Sequence, residues 1–160
     1  MPTPSPYRAL PAARRVALVT HAISSSREMR ALYTQRLVAR GGGFRAASLN
    51  GWPVDRLAKE IVRMNAQSGQ DEIELLQLLY VELEPAIQMT FLDEAGVRHE
   101  KGVIDENLTT PYANADAVQR AAALVQSTHG ADGVHYLRTI ARYSRESWPG
   151  IEDLVARIGG

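Results

Sequence analysis

The sequence has no cysteine and no long apolar run, and each absence excludes a class of protein or site. Without cysteine the chain cannot form a disulfide scaffold, a thiolate zinc site or a cysteine nucleophile. No apolar run approaches the roughly 20 residues that cross a bilayer, so we expect no transmembrane helix. Arg14 and Arg15 precede an apolar run like that of an export signal, but Thr20 and His21 interrupt it. We therefore expect a soluble, cytoplasmic protein.

What remains is the composition of an ordinary globular domain. A chain of 160 residues is long enough to bury a hydrophobic core without help from disulfides or metals. Prolines at positions 2, 4 and 6 disfavour a helix at the start of the chain. Residues 1–6 are therefore predicted to form a flexible arm, and residues 7–160 a single helical domain.

The net charge of zero conceals a segregation of charge along the chain. Residues 1–50 carry eight arginines against Glu28 alone, a net charge of +7, and form what we name the basic head. Residues 71–106 carry ten carboxylates against Arg98 and Lys101, a net charge of −8, and form the acidic middle. These blocks could meet within one chain, or they could bind a second copy or another protein.

Helix signals recur along most of the sequence. The stretch Ser25–Glu28 fits a capping box, and the glycines at 41–43 are expected to end the helix that follows. Apolar residues at helical spacing follow Trp52-Pro53. Asn114 is predicted to cap a helix that stops at Gly130. The other predicted helices cover residues 11 to about 23, 71–84, 86–95, 133 to about 146, and 149 to about 158.

These segments predict an all-α protein, a compact bundle of seven or eight short helices. The alternative is an α+β fold in which residues 15–22, 44–49 and 87–104 supply a small sheet. Helix is favoured for residues 86–95 because Pro85 suits a first turn and a glycine follows as a C-cap. Residues 44–50 are predicted to be extended or a short strand.

Residues 96–113 are predicted to form a long connection, and they carry the candidate catalytic residues. His99 and Glu100 could transfer a proton, while Asp105 and Glu106 could supply charge or loose metal ligands. No two histidines have the helical spacing of a metal site and no HExxH motif occurs. The sequence therefore predicts neither a metal site nor a cofactor.

A basic stripe lies on the helix predicted for residues 133–146. His135, Arg138, Arg142 and Arg145 fall within an arc of about 80° when successive residues are 100° apart. Guanidinium groups bind phosphate or carboxylate in bidentate geometry, so the stripe is a candidate site for an anion or an acidic partner. The same pattern also fits a solvated face whose arginines are stabilised by the helix dipole.

The sequence carries no recognised catalytic signature. We therefore predict a non-catalytic helical module for protein–protein interaction or assembly, which could form a homodimer. One alternative is a small enzyme or ligand-binding domain that acts on an anionic small molecule beneath residues 96–113. A second is a nucleic-acid-binding protein that uses Arg138, Arg142 and Arg145, although an isoelectric point near 6.9 gives no net positive field.

Overall fold

A computed structural model of the chain describes residues 4–159 and shows a predominantly helical protein. The described residues also contain an antiparallel hairpin. It has two strand residues on each side of a tight turn, and His99 lies opposite Ile104. The α-helices are α1 (Pro6–Ala9), α2 (Ala12–Ser25), α3 (Arg27–Ala39), α4 (Ala46–Leu49), α5 (Val54–Arg63), α6 (Gly69–Leu78), α7 (Pro85–Ala95), α8 (Ala115–Tyr143) and α9 (Ile151–Gly159). A π-helical segment (Leu79–Leu83), strands β1 (His99–Glu100) and β2 (Val103–Ile104), and a 3-10 turn (Arg145–Ser147) complete the described elements.

The predicted all-α class is confirmed, and the α+β alternative is wrong. Residues 15–22 lie inside α2, where Leu18, Val19, Ala22 and Ile23 are buried along one helical face. The predicted extended stretch at 44–50 is also wrong, because α4 forms there and buries Leu49. Of residues 87–104, the first nine continue α7 and only the hairpin is strand.

Local capping signals place most helix ends. The hydroxyl of Ser26 accepts the Met29 N–H at 3.2 Å, so α3 begins one residue after this cap. Asn114 caps α8 in the same way, with its side-chain oxygen 2.8 Å from the Ala117 nitrogen. Gly41 and Gly96 follow α3 and α7 with φ of 78° and 74°, the left-handed conformation that glycine adopts without strain. The start predicted at Asn114 and the stops predicted at the glycines are confirmed. The capping box predicted for Ser25–Glu28 is wrong in register, because Ser26 is the cap and Ser25 is the last residue of α2.

The chain divides into two compact units, one up to Leu78 and one from Leu79 onward, which we name the first and the second unit. This division describes each unit by itself and does not test whether the two units form one domain. The single domain predicted for residues 7–160 therefore stays a prediction. Residues 1–3 of the predicted arm lie outside the described part of the chain. Within the described part, Ser5 caps α1 and Pro6 is its first residue.

The first unit is built around α2, which packs against α3, α5 and α6. Buried side chains of α2 and α5, among them Leu18 and Ile61, supply its hydrophobic core. Polar contacts hold α1 against α6. The Ser5 hydroxyl donates to a Glu72 oxygen at 2.5 Å, Arg8 lies 3.5 Å from the other Glu72 oxygen, and Gln67 donates to the buried Tyr7 hydroxyl at 2.8 Å.

An ion pair between Arg36 and Asp71 joins α3 to α6. A terminal nitrogen of Arg36 donates to one Asp71 oxygen at 3.1 Å, and its Nε atom lies 2.5 Å from the other oxygen without forming a hydrogen bond. Asp71 and Glu72 are both buried, and both belong to the acidic middle. The basic head and the acidic middle therefore meet within one chain at these two carboxylates.

The second unit is organised by α8, which packs against α7 and α9. Gly130 breaks α8 into two halves, because its φ of 59° and ψ of −132° are not helical. The break predicted at Gly130 is thus confirmed. A chain of edge-to-face and tilted aromatic pairs forms the core of this unit, and it links Tyr80, Tyr136, Phe91, Trp148 and Tyr112.

Tyr7 and Tyr33 are both buried, but they differ in whether the hydroxyl group is hydrogen-bonded. Burial raises the pKa of Tyr7 to about 12, although the nearby Arg15 acts in the opposite direction. Burial, and then the negative charge of Asp71, also raises the pKa of Tyr33. The Tyr33 side chain is fully buried, and within residues 4–159 its hydroxyl has no hydrogen-bond partner.

Replacing Tyr7 with phenylalanine should destabilise the protein by about 1.5 kcal/mol at neutral pH, because it leaves the buried Gln67 amide without its acceptor. Tyr33→Phe is the matched control and should change the stability by less than about 0.5 kcal/mol, since its hydroxyl donates to no protein group.

Because the folded state keeps the Tyr7 proton up to about pH 12, while the unfolded chain loses it near pH 10, wild-type stability should fall above about pH 10. Urea unfolding between neutral pH and about pH 11 measures both effects. Equal losses in the two variants would contradict this assignment.

Candidate functional site

The candidate catalytic residue His99 is held by two hydrogen bonds, one at each ring nitrogen. Its Nδ1 accepts the Gly102 N–H at 3.0 Å, and its Nε2 lies 2.6 Å from an oxygen of Asp93. Because Nδ1 accepts, the proton sits on Nε2 and is donated to Asp93. The His99 side chain is only 8% exposed, so the ring links the hairpin to the end of α7. Neither nitrogen is left to take a proton from a substrate in this arrangement.

The other candidates in residues 96–113 are arranged around the same hairpin. Glu100 is exposed in β1. Asp105 accepts the Asn107 N–H at 2.9 Å, the bond of an Asx turn, and Glu106 is exposed beside it. Across residues 4–159, no three histidine or carboxylate side chains are grouped closely enough to hold a metal ion.

The predicted basic stripe is divided among different environments. The Nδ1 atom of His135 is hydrogen-bonded to the buried hydroxyl of Tyr80 in the π-helical segment. Arg138 and Arg142 are exposed on α8. Arg145 is not on this helix, because α8 ends at Tyr143 and Ser144 adopts φ of −135°. The predicted extension of the helix to residue 146 is therefore wrong, and Arg145 instead lies 3.8 Å from Glu152.

A cleft of about 240 Å³ opens beside Arg145 in the second unit. Its lining residues are Arg145, Trp148, Gly150, Ile151, Glu152 and Asp153. The residues His99, Glu100, Arg138 and Arg142 are absent from this lining. The cleft therefore does not unite the candidate catalytic residues with the basic stripe.

A cluster of arginine and aromatic side chains in the first unit was not predicted from the sequence. The Arg56 guanidinium lies 3.9 Å above the centre of the Trp52 ring, which is cation–π geometry. Phe44 contacts the same ring edge-to-face at 5.7 Å. Arg30 donates to the Trp52 carbonyl oxygen at 2.9 Å and reaches the Asn50 carbonyl at 3.4 Å. We name Arg30, Phe44, Trp52 and Arg56 the Trp52 cluster.

Local structure explains how the Trp52 cluster forms. Trp52 precedes Pro53, which caps α5, so Arg56 falls in the first turn and its side chain folds back over the indole. The turn that follows α4 directs the Asn50 and Trp52 carbonyls toward Arg30 on α3. Trp52 stays half-buried and Arg56 stays exposed. The spacing of Trp52 and Arg56 could have indicated their contact, but nothing in the sequence marks Arg30 as the third member.

Many arginines of the basic head serve the fold instead. Arg15 donates to the Leu10 carbonyl at 3.1 Å and Arg40 donates to the Asn65 carbonyl at 2.5 Å. Arg36 pairs with Asp71. Arg36 and Arg40 are thus both bonded to groups of the same chain.

The two units carry opposite net charges. The first unit has eleven lysine and arginine residues against six carboxylates, a net charge of +5. The second has seven against twelve, a net charge of −5. Asp71, Glu72 and Glu60 are three of the six carboxylates in the first unit, and each is already paired with an arginine there. The segregation read from the sequence thus follows the structural division in part, because Asp71, Glu72 and Glu74 of the acidic middle belong to the first unit.

Comparisons with known proteins supply no functional information. No protein-family model matches the chain, and no curated protein or solved structure gives a significant match. In the described part of the chain, no helix is both long and apolar enough to cross a membrane.

Proposed function

We propose that the protein is a non-catalytic, cytoplasmic protein–protein interaction module that binds an acidic protein surface through the Trp52 cluster. The observation that carries the proposal is the exposed Arg56 guanidinium stacked at 3.9 Å on a half-buried tryptophan. Tryptophan and arginine are the residues most enriched among interface residues that dominate binding energy. A stacked guanidinium keeps its edge free to bind a carboxylate in bidentate geometry.

The surrounding charge favours a carboxylate-bearing partner. Exposed cations without a carboxylate partner in residues 4–159 accompany the cluster in the first unit, namely Arg27, Arg45 and Lys59. The net charge of +5 on this unit attracts an acidic surface and raises the rate of its association.

Nucleic acid is a poorer fit than an acidic protein. Binding to a phosphate backbone requires several clustered cations that are free to contact it. In the basic head, the side chains of Arg15, Arg36 and Arg40 are already bonded within the chain. The second unit carries a net charge of −5, which repels a long polyanion.

The geometry at His99 supports a non-catalytic role. A general base needs a ring nitrogen within hydrogen-bond reach of the substrate proton. Both His99 nitrogens are engaged by Gly102 and Asp93 in the hairpin.

Binding of fluorescently labelled poly-L-glutamate tests the proposal. We expect the wild type to bind this peptide at low salt, and Arg56→Glu or Trp52→Ala to weaken binding by at least about tenfold, because each removes half of the stacked pair. Arg120→Glu is the control matched in charge to Arg56→Glu, since Arg120 is an exposed cation of α8 without a partner in the described residues. It should change the affinity by less than about twofold.

Tryptophan fluorescence locates the bound peptide. The chain has two tryptophans, and Trp52 is the more accessible to a quencher, because it is half-buried while Trp148 is 3% exposed. Bound poly-L-glutamate should protect Trp52 from acrylamide. The proposal fails if Arg56→Glu binds as tightly as the control. It also fails if duplex DNA binds more tightly than the peptide and loses its affinity on replacement of Arg138, Arg142 and Arg145.

A further inference from the structure

We infer that the acidic partner is a second copy of this chain, whose second unit binds the Trp52 cluster of the first copy. This inference rests on the proposed function and names its partner. The two units carry charges of equal size and opposite sign, +5 and −5. An interface between the first unit of one copy and the second unit of another is therefore electrostatically complementary.

The cationic side of this interface consists of exposed side chains that form no ion pair among residues 4–159. Arg45, Arg56 and Lys59 are exposed, and none has a carboxylate partner in residues 4–159. The carboxylates of the first unit are partly committed, because Glu60, Asp71 and Glu72 pair with arginines of the same unit. These exposed cations are therefore available to carboxylates of another molecule.

The anionic side lies on the segment that runs from the end of α7 through the hairpin. Glu94, Glu100 and Glu106 are exposed there, and none has an ion-pair partner among the described residues. Arg98 and Lys101 are also exposed in this segment. Residues 93–106 nevertheless carry five carboxylates against these two cations, a net charge of −3.

The contact can close into a dimer or extend into an open chain of molecules, and a closed dimer leaves neither surface unpaired. In a dimer with a two-fold axis, the Trp52 cluster of each copy binds the acidic segment of its partner, so the same contact forms twice. In such a dimer, each cationic surface contacts an anionic surface of the other copy. The stacked Arg56 supplies the bidentate contact, and Trp52 supplies apolar area that the charges alone lack.

A charge-swap experiment with sedimentation velocity tests the inference. The first-unit swap is R45E/R56E/K59E and the second-unit swap is E94K/E100K/E106K. We expect the wild type to be a dimer at about 50 mM salt and to dissociate toward about 500 mM, because the Debye length falls several-fold. Each swap alone should be a monomer, since its two surfaces then have the same sign. An equimolar mixture of the two swaps should form a heterodimer.

The heterodimer distinguishes the inference from its rivals and also shows that both variants are folded. Circular dichroism of each swap provides a separate check of folding. Should either swap unfold, the neutral variants R45Q/R56Q/K59Q and E94Q/E100Q/E106Q replace them, and each should weaken the dimer by at least about tenfold.

Two results would overturn the inference. One is a wild type that sediments as a monomer at low salt at its highest soluble concentration. The other is a mixture of the swaps that stays monomeric while both are folded. Failure here leaves the proposed function separately testable, because poly-L-glutamate binding to the Trp52 cluster does not depend on self-association.

Discussion

Replacing Arg36 with alanine should destabilise the first unit by about 3 kcal/mol, because it leaves the buried Asp71 carboxylate without its counter-ion. The Asp71 side chain is only 3% exposed, and both of its oxygens are contacted by the Arg36 guanidinium. Urea unfolding measures the loss, and amide hydrogen exchange shows whether it is confined to residues up to Leu78.

Arg63→Ala is the matched control for this prediction. Arg63 pairs with Glu60 within α5, but its side chain is 66% exposed and the pair is screened by solvent. We expect this variant to lose little or no stability. Equal losses for Arg36→Ala and Arg63→Ala would show that the Arg36 pair is no stronger than a surface pair.

A double variant separates the pair from the fold around it. Arg36→Met combined with Asp71→Leu removes both charges and should recover much of the stability that Arg36→Ala loses. The recovery should be incomplete by about 1 kcal/mol, because Asp71 also caps the start of α6. Its side chain accepts the Ser68 N–H at 2.9 Å, and the Ser68 hydroxyl accepts the Asp71 N–H at 3.1 Å.

The helical class could be predicted from the sequence because its signals are local. The caps at Ser26 and Asn114 and the glycine stops at Gly41 and Gly96 each act within one helical turn. The failures occur where a segment is too short for a period to develop. The four-residue α4 shows no helical repeat, and its position is fixed by the burial of Leu49.

The candidate site was less predictable because its members are distant in sequence. Arg30 reaches the Trp52 carbonyl across 22 positions, and Arg36 reaches Asp71 across 35. The arginines of the basic head are evident in the sequence, but their partners are not. The division of charge is more informative in the structure than along the chain, because the boundary at Leu78 leaves charges of +5 and −5 on two separate units.

The basic stripe shows why a helical projection alone is a weak guide. Arg145 projects onto the same arc as Arg138 and Arg142 only if the helix continues beyond Tyr143. Ser144 leaves the helical conformation, and a 3-10 turn follows it. His135 lies on the arc, but its ring is hydrogen-bonded to Tyr80, so Arg138 and Arg142 remain as the exposed pair on this face.

Replacing Gly133 with alanine should destabilise the second unit by about 3 kcal/mol, because no space exists for a methyl group at this position. A Cβ atom there would lie 2.5 Å from the Val125 carbonyl oxygen and 2.9 Å from the Val125 Cγ1 atom. The break at Gly130 turns α8 sharply enough to bring its two halves into contact at Gly133. Thermal and urea unfolding measure the loss.

Two further glycine variants separate crowding from backbone strain. Gly130→Ala meets no atom within 4 Å, yet its φ of 59° disfavours any side chain, so we expect a loss of about 1–2 kcal/mol from strain alone. Gly69→Ala meets neither obstacle and should leave the stability unchanged or raise it by about 0.5 kcal/mol. The losses should therefore be largest at 133, intermediate at 130 and absent at 69. If Gly133→Ala were as stable as Gly69→Ala, the two halves of α8 could not be as closely packed as Val125 and Gly133 indicate.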